Sequence, residues 1–381
     1  ASILKDEDKT IEILEELLDN YFNYIAVNNL AYYYEKQNKK DKALKLYKKV
    51  YENIKGDNFI VSDIIKKLHK YDRHEKSLPY IKELKENFPY SFVADRYEGD
   101  VYIKLGKKEK AVKAYKASLL HNMENASLRK KIQDIQNQKD FLEELHEPKI
   151  YGSIEKERGR IKESSYGYTI LLDDKDVILF KEGGGKARFS NVYEILTEEG
   201  VNTFKEYNLG LSGSYSIIKT EIVKKNGSVV PADSQRSSLV FNGLEIGDVI
   251  HLDYEINFSG NGRFYKDYTD SFQFDSFVPC IKSSYSILMP KGQKLNYKLV
   301  NGKLEYKKER KGDYDLYTWE LITADVLPKE EYYMPRDADI ARYLHISTID
   351  SWDEIAKWYS DLVRKQIDID ITVDEVYKEL F

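Results

Sequence analysis

Apolar residues in the first third of the chain fall three and four apart, the spacing of a buried helix face. Leu30, Ala31 and Tyr34 make one such stripe, and Ala43, Leu44 and Tyr47 make another. Beyond Pro148 the pattern changes. Val249, His251, Asp253 and Glu255 alternate with Ile250, Leu252, Tyr254 and Ile256, the period of two that a strand produces. Glycine follows the same division: of 20 glycines, only Gly56, Gly99 and Gly106 precede Glu147. The pattern predicts a helical region over 1–147, a β region over 148–335, and a linker with helices over 336–381.

Within the helical region the apolar positions repeat every 34 residues. Ala43, Ser77 and Ala111 stand in one register, Tyr47, Ile81 and Tyr115 in a second, and Ala31, Ile65 and Gly99 in a third. Small residues let two helices approach, and aromatic and aliphatic residues fill the seam between them. A 34-residue helix–turn–helix period resembles the tetratricopeptide repeat (TPR). It places units at about 24–57, 58–91 and 92–125, with Pro89 where the family ends a second helix. The middle unit departs from small-on-small packing at Ile65 and Ser77. Ile11, Leu14, Leu17 and Leu18 read as the second helix of an earlier unit, so the array is expected to begin upstream of Ala1. The apolar positions from Leu128 to Leu145 predict one capping helix over 127–146. The resemblance implies a groove lined by the first helix of each unit, at Asn28, Tyr32, Lys66, Arg96 and Asp100. Two readings stay open: a peptide-binding groove, or a scaffold whose groove is solvated. The set is mixed in sign and does not reproduce a basic clamp for a C-terminal carboxylate.

In the β region, Asn226-Gly227 and Asn301-Gly302 each sit between strand-like runs, a strong hairpin signal. Gly183-Gly184-Gly185 lacks the following Lys-Ser/Thr and helix of a phosphate loop and reads as a hairpin turn. Many short strands with Gly-rich turns predict an all-β antiparallel sandwich.

Five segments in order resemble the DUF3857 family, an N-terminal companion of transglutaminase-like domains. They are NVYEILTEEGVNTF (191–204), IIKTEIVKKNGSVV (217–230), FNGLEIGDVIHLDYEI (241–256), FDSFVPCIKSSYSILMPKG (274–292) and HISTIDSWDEIAKWY (345–359). Leu244, Gly247, Asp248, Ile250 and Tyr254 occupy expected places, and the likeness runs over roughly 166–365. It implies a β domain ahead of a papain-like catalytic domain beyond Phe381, in an exported, cell-envelope setting. Composition alone leaves the compartment open. The chain starts at Ala1 rather than Met, which reads as a processed fragment.

Net charge of −5 argues against binding nucleic acid by neutralising phosphates. No apolar run approaches the roughly 18 residues of a membrane span. A single cysteine, Cys280, excludes internal disulfides and Cys-based zinc cages. In FVPCIKSSY it stands where DUF3857 carries an aliphatic residue, and it reads as a small buried hydrophobe. His69 and His74, five apart, are expected on different helix faces, and no histidine pair has metal-ligand spacing. Asp173-Asp174 and Asp368 with Asp370 read as turn or surface carboxylates. No cofactor is implied.

These observations predict a non-catalytic recognition and scaffold region of a transglutaminase-like protein. A protein or peptide partner would bind the repeats. Trp352 and Trp358, on a predicted helix after Ser351, would meet the catalytic domain. The alternative is a cell-envelope glycan-binding module using exposed aromatics such as Tyr265, Tyr268 and Trp319.

Overall fold

The computed structural model describes residues 6–145, 150–162, 165–260, 262–324, 326–328, 333–367 and 377–379. The chain divides after Gln138 into two compact units. Residues 368 and 370 lie outside the described set.

The first unit is an array of TPR-like helix pairs. Its helices are α1 (Glu7–Asn20), α2 (Tyr24–Lys36), α3 (Lys40–Asn53), α4 (Asn58–Lys70), α5 (Leu78–Asn87), α6 (Phe92–Lys104), α7 (Lys108–Leu119) and α8 (Ala126–Gln136). Side chains before α2, α4 and α8 cap the first turns. Asn23 accepts from the Ala26 amide, Asp57 from Phe59 and Ile60, and Asn125 from Leu128. Each first helix of a pair then ends at the same repeat position. Asn38, Asp72 and Gly106 all adopt a left-handed backbone, with φ of 59°, 59° and 70°. These three residue types tolerate that conformation best.

Seam packing explains the small residues. Ala43, Ser77 and Ala111 are buried, and Tyr47 and Tyr115 fill the spaces beside them. At Gly99 a Cβ would stand 2.3 Å from the Tyr115 ring, so α6 meets α7 at van der Waals distance only because no side chain intervenes. The middle pair solves the seam differently. Ile65 fills the equivalent position, and a short 3₁₀ turn (His74–Ser77) precedes α5. The Ser77 hydroxyl donates to the His74 carbonyl at 2.5 Å and meets His69 Nε2 at 2.9 Å.

The expected helix over 127–146 is broken. α8 ends at Gln136, and Asn137 turns left-handed with φ 55°. Leu128 and Ile132 pack in the last seam. Leu142 instead joins Ile178, Leu288 and Leu316 in the β unit.

The second unit holds short helices α9 (Phe141–Leu145), α10 (Ile150–Glu157), α11 (Glu198–Phe204) and α12 (Asp337–Ile340), and a longer α13 (Trp352–Ile367). Its strands are β1 (Tyr168–Leu179), β2 (Gly185–Ile195), β3 (Glu206–Asn208), β4 (Ser214–Val223), β5 (Val229–Pro231), β6 (Asp233–Gln235) and β7 (Ser238–Val240). They continue with β8 (Val249–Phe258), β9 (Thr269–Gln273), β10 (Cys280–Pro290), β11 (Asn296–Val300), β12 (Lys307–Lys311), β13 (Tyr314–Ala324) and β14 (Tyr343–Ser347). Eight form one sheet in the order β12-β13-β10-β1-β2-β8-β4-β5. Every pair in it is antiparallel except β1–β10, which runs parallel.

Alternation gives this sheet two unlike faces. On one, Val177, Tyr285 and Trp319 pack against Phe272 and Leu344 of a small sheet, β11-β14-β9. Further along, Ile222, Ile250 and Leu252 pack against Leu239 of a second, β3-β7-β6. On the other face, Leu171, Val192 and Val249 meet Ile150 and Ile154 of α10. The Gly183–Gly185 run turns β1 into β2. Asn301-Gly302 does not make the expected hairpin. β11 pairs with β14, and the Asn301 amide donates to the carbonyls of Ala338 (3.0 Å) and Ala341 (2.8 Å).

Gly99→Ala and Ala43→Leu are each expected to overpack a helix seam and cost about 1–3 kcal/mol in a urea melt. Unchanged midpoints for both would contradict the packing described.

Candidate functional site

The predicted groove residues lie on the first helices of successive pairs. Tyr32, Lys66 and Asp100 share one repeat position; Asn28 and Arg96 share another, with Ser62 as its middle member. Their surroundings differ. Tyr47 on α3 donates to Asn28 Oδ1 at 2.6 Å, and Tyr115 on α7 donates to Asp100 Oδ1 at 2.7 Å. Asp100 also pairs with Lys131 of α8 at 2.6 Å. Lys66 pairs with Asp63 at 3.0 Å, and Asp63 accepts from Tyr24 of α2. Arg96 lies over the Tyr97 ring at 5.3 Å and has no ion pair among the described residues. It is near enough to Lys66 for its charge to oppose protonation there, although the Asp63 bond raises the Lys66 pKa overall.

The structure therefore holds Asn28, Lys66 and Asp100 in separate polar clusters, on Tyr47, on Asp63 and on Tyr115 with Lys131, and sets the Arg96 charge near Lys66. Tyr32 stands apart, 58% exposed, with its ring edge-on to Tyr33. Tyr24, Ser62 and Asp63 belong to the same strip and were not anticipated. The 34-residue register locates Ser62, but the Tyr24–Asp63 bond joins different repeat positions and leaves no trace in it.

His69 and His74 are close, contrary to the expectation of separate faces. α4 ends at Lys70 and the chain reverses at Asp72, so the rings stack 4.4 Å apart. Burial, and then the His74 charge, push His69 down to about 4, while Asp100 pulls the other way. Burial also lowers His74.

Cys280 opens β10 and is buried. Burial, with the Asp173 charge added, pushes its thiol up to about 12. Its sulfur lies 3.5 Å from the Lys282 carbonyl. A thiol held neutral is no nucleophile. No group of three or more His, Cys, Asp or Glu among the described residues could hold a metal.

Asp173 and Asp174 are not turn residues. They lie inside β1, paired on both edges. Burial and the Asp174 charge push Asp173 up to about 6, against the opposing Asn191 hydrogen bond (2.7 Å) and the Lys175 charge. The expected exposed aromatics are displaced as well. Trp319 is fully buried among Tyr285, Tyr297, Tyr306 and Tyr317, because alternation in β13 turns it into the core. Tyr268 stacks on Phe258 and donates to Asp270, and Tyr265 is half-buried. On α13 the two tryptophans part: Trp358 is edge-on to Phe264 at 5.5 Å, whereas Trp352 is 82% exposed.

Residues 232–323 match the family described as a domain of unknown function with solved structure (DUF3857). No curated protein matches the chain. Among solved structures, the chain is similar to a candidate protease from Parabacteroides distasonis ATCC 8503. That likeness has 20% identity, covers 49% of this chain and 41% of that one, and has a TM-score of 0.42. The chain thus spans about two fifths of that protein. MamA 41-end from Desulfovibrio magneticus RS-1 is 13% identical, with 34% of this chain and 75% of that one covered, TM-score 0.30. The first TPR of Spaghetti (RPAP3), bound to the HSP90 peptide SRMEEVD, is 17% identical, with 30% and 90% covered, TM-score 0.27. Among the described residues no helix is long and apolar enough to cross a membrane.

Two outcomes follow from these environments. His69 is depressed on folding, so the unfolded chain binds the extra proton between pH about 6.5 and about 4. Stability is expected to fall as pH drops through that window, and His69→Gln should flatten the dependence in melts at stepped pH. Cys280 should resist a mild thiol reagent in the native chain and react once urea unfolds it. Fast native labelling would contradict the buried, neutral thiol.

Proposed function

We propose that the chain is a recognition and scaffold region that binds a protein partner along the strip from Asn28 to Asp100. Support comes from one observation above the rest: the Lys66 and Arg96 charges lie near each other on adjacent first helices, Lys66 paired with Asp63, which also accepts from Tyr24, and Arg96 over the Tyr97 ring. Side chains already held in place lose little freedom on binding, which favours affinity. The cation pair suits an acidic side chain of an extended peptide. Asp63 and Asp100 beside it favour mixed rather than purely acidic sequences, and no basic clamp for a terminal carboxylate is present in this strip.

The wider role follows the DUF3857 match. The chain would position substrate for a transglutaminase-like, papain-fold cysteine peptidase or amidase-like module in a cell-envelope setting. Trp352, Tyr359 and Leu362 are exposed on α13 and would seat that module, while Trp358 anchors the helix on Phe264.

A fluorescence-anisotropy screen of the full chain against an array of labelled acidic and mixed-charge heptapeptides tests the groove. Lys66→Glu and Arg96→Glu should each weaken the best binders by at least about tenfold, or 1.4 kcal/mol. Peptides ending in a free carboxylate should bind no better than their amides. Binding indifferent to both substitutions, or no binding peptide at all, would overturn the reading.

A further inference from the structure

The helical unit has two edges, and their chemistry differs. Helices that alternate in direction put the turns between pairs on one edge and the turns within pairs on the other. The first edge holds the turns at 19–25, 52–59 and 86–90; the second holds those at 36–42, 70–76 and 104–110.

Apolar side chains crowd the first edge. Ile25 and Phe59 share one repeat position, the second residue of α2 and of α4, and are 72% and 76% exposed. Phe22 and Tyr90 share another, with Gly56 between them, and both are more than half exposed. Ile54 and Phe88 share a third and are exposed as well. None of these six packs into the cores of the array. Tyr21, Phe22, Ile25, Phe59 and Tyr90 leave on the order of 600 Å² of side chain in water, taking about 200 Å² for each when fully exposed. A stable interface takes about 800 Å² from each partner, so these residues supply most of one. The charges beside them are mainly carboxylates: Asp19, Glu52, Asp57 and Glu86, against Lys55.

The second edge carries no exposed large apolar side chain among the described residues. Cations recur there in step with the repeat. Lys36, Lys70 and Lys104 form one row, Lys42, Lys76 and Lys110 another, and Lys39, Arg73 and Lys107 a third. Each turn holds more lysine and arginine than carboxylate. Part of this charge is answered within the chain: Lys36 pairs with Glu7, Lys70 with Glu35, Arg73 with Asp41, and Lys104 with Asp72 at 3.0 Å. Lys42 lies over the Tyr34 ring at 5.3 Å and Lys110 over Tyr102 at 5.9 Å. Lys39 donates to the Gln37 amide at 2.7 Å. Lys39, Lys76, Lys107 and Lys108 are exposed and have no ion pair among the described residues.

Charge and spacing together choose the occupant. An anionic membrane or an acidic peptide would answer the basic edge and leave the apolar one in water. A second copy of this chain answers both. Its lysines meet carboxylates and aromatic faces, and their methylene stems cover apolar surface. The spacing fits too, because both edges recur once per helix pair and stay in step along the array.

We propose that the helical units of two copies stack edge to edge, the basic edge of one on the apolar, acidic edge of the other. Turn 104–110 then lies over Tyr90 of the next copy, 70–76 over Phe59, and 36–42 over Phe22 and Ile25. The contact is heterologous: the second copy keeps its own basic edge free for a third, so the assembly grows beyond a dimer.

Sedimentation velocity of the full chain tests this. In low salt the mean sedimentation coefficient should rise past that of a dimer between about 1 and 100 µM. Salt at about 0.5 M should weaken the rise, because exposed ion pairs are screened. Phe59→Ser with Tyr90→Ser removes the apolar edge, and Lys107→Glu with Lys108→Glu reverses the basic one. All four residues are exposed, so both variants should melt like the native chain. Each variant alone should lose at least about tenfold in self-association. Mixed, the two should form a dimer of native strength and nothing larger, because one keeps an intact basic edge and the other an intact apolar edge. A chain that stays monomeric at about 100 µM in low salt, variants that associate like the native chain, or a mixture no stronger than its parts would overturn the proposal. A monomer that instead binds phosphatidylglycerol vesicles would assign the basic edge to a membrane and overturn it as well.

Discussion

The second unit depends on the position of β1 in its sheet. β1 bonds β2 antiparallel along one edge and β10 parallel along the other. A strand paired on both edges can satisfy its side chains only through the layers above and below it and through same-face neighbours on the adjoining strands. One face of β1 sends Val177 and Leu179 into the core around Trp319. The other sends Asp174 and Asp176 into a cleft under α10. Carboxylates so placed lose water, and the neighbours replace part of what is lost. Asn191 bonds Asp173, Ser284 bonds Asp174, and Lys175 reaches Asp270 at 2.7 Å. The Arg188–Asp253 pair does the same one strand over. Removing one partner of such a pair leaves a buried charge alone, which costs more than the pair contributes.

The helical unit rests on a different logic. Each helix pair touches only its neighbours, so stability is a sum of local seams. The outer seams are made by alanine and glycine against tyrosine. The middle one substitutes Ile65, a 3₁₀ turn and a serine–histidine contact. That pair also carries the stacked histidines His69 and His74, one at the end of α4 and the other in the 3₁₀ turn that follows.

Much of the helical unit was legible because its information is local. The register of 34 lies within one repeat length, and the asparagine and aspartate caps and the left-handed Asn38, Asp72 and Gly106, which the structure added, recur in step with it. The break at Asn137 was not legible, because asparagine tolerates both a helix and its end. The sheet was harder. Alternation marked β8, yet the β1–β10 pair joins Ile170 to Cys280, and nothing near either residue announces the other. Asp173-Asp174 looked like a turn by composition. The apolar runs TILL and VILF on either side were the better guide, since they make the aspartates the middle of one strand. Trp319 looked exposed because composition carries no facing; only the phase of β13 turns it inward. For the candidate groove, repeat spacing selected the positions, but which of them are held by Tyr47 or Tyr115 is a matter of tertiary packing.

The parallel pairing has a consequence for how the chain reaches this state. β1 and β2 form a local hairpin, available as soon as residue 195 is made. β10 arrives about a hundred residues later, because a parallel partner must return across the intervening chain. Until then one edge of β1 is an open ladder of amides and carbonyls, the usual template for pairing with a foreign strand. That edge belongs to a strand reading Asp173, Asp174, Lys175 and Asp176 at its centre. Charges there make a stranger's apolar strand a poor fit, while the serines of β10 accept them. The residues that burden the finished sheet with buried charge also guard it while it is unfinished.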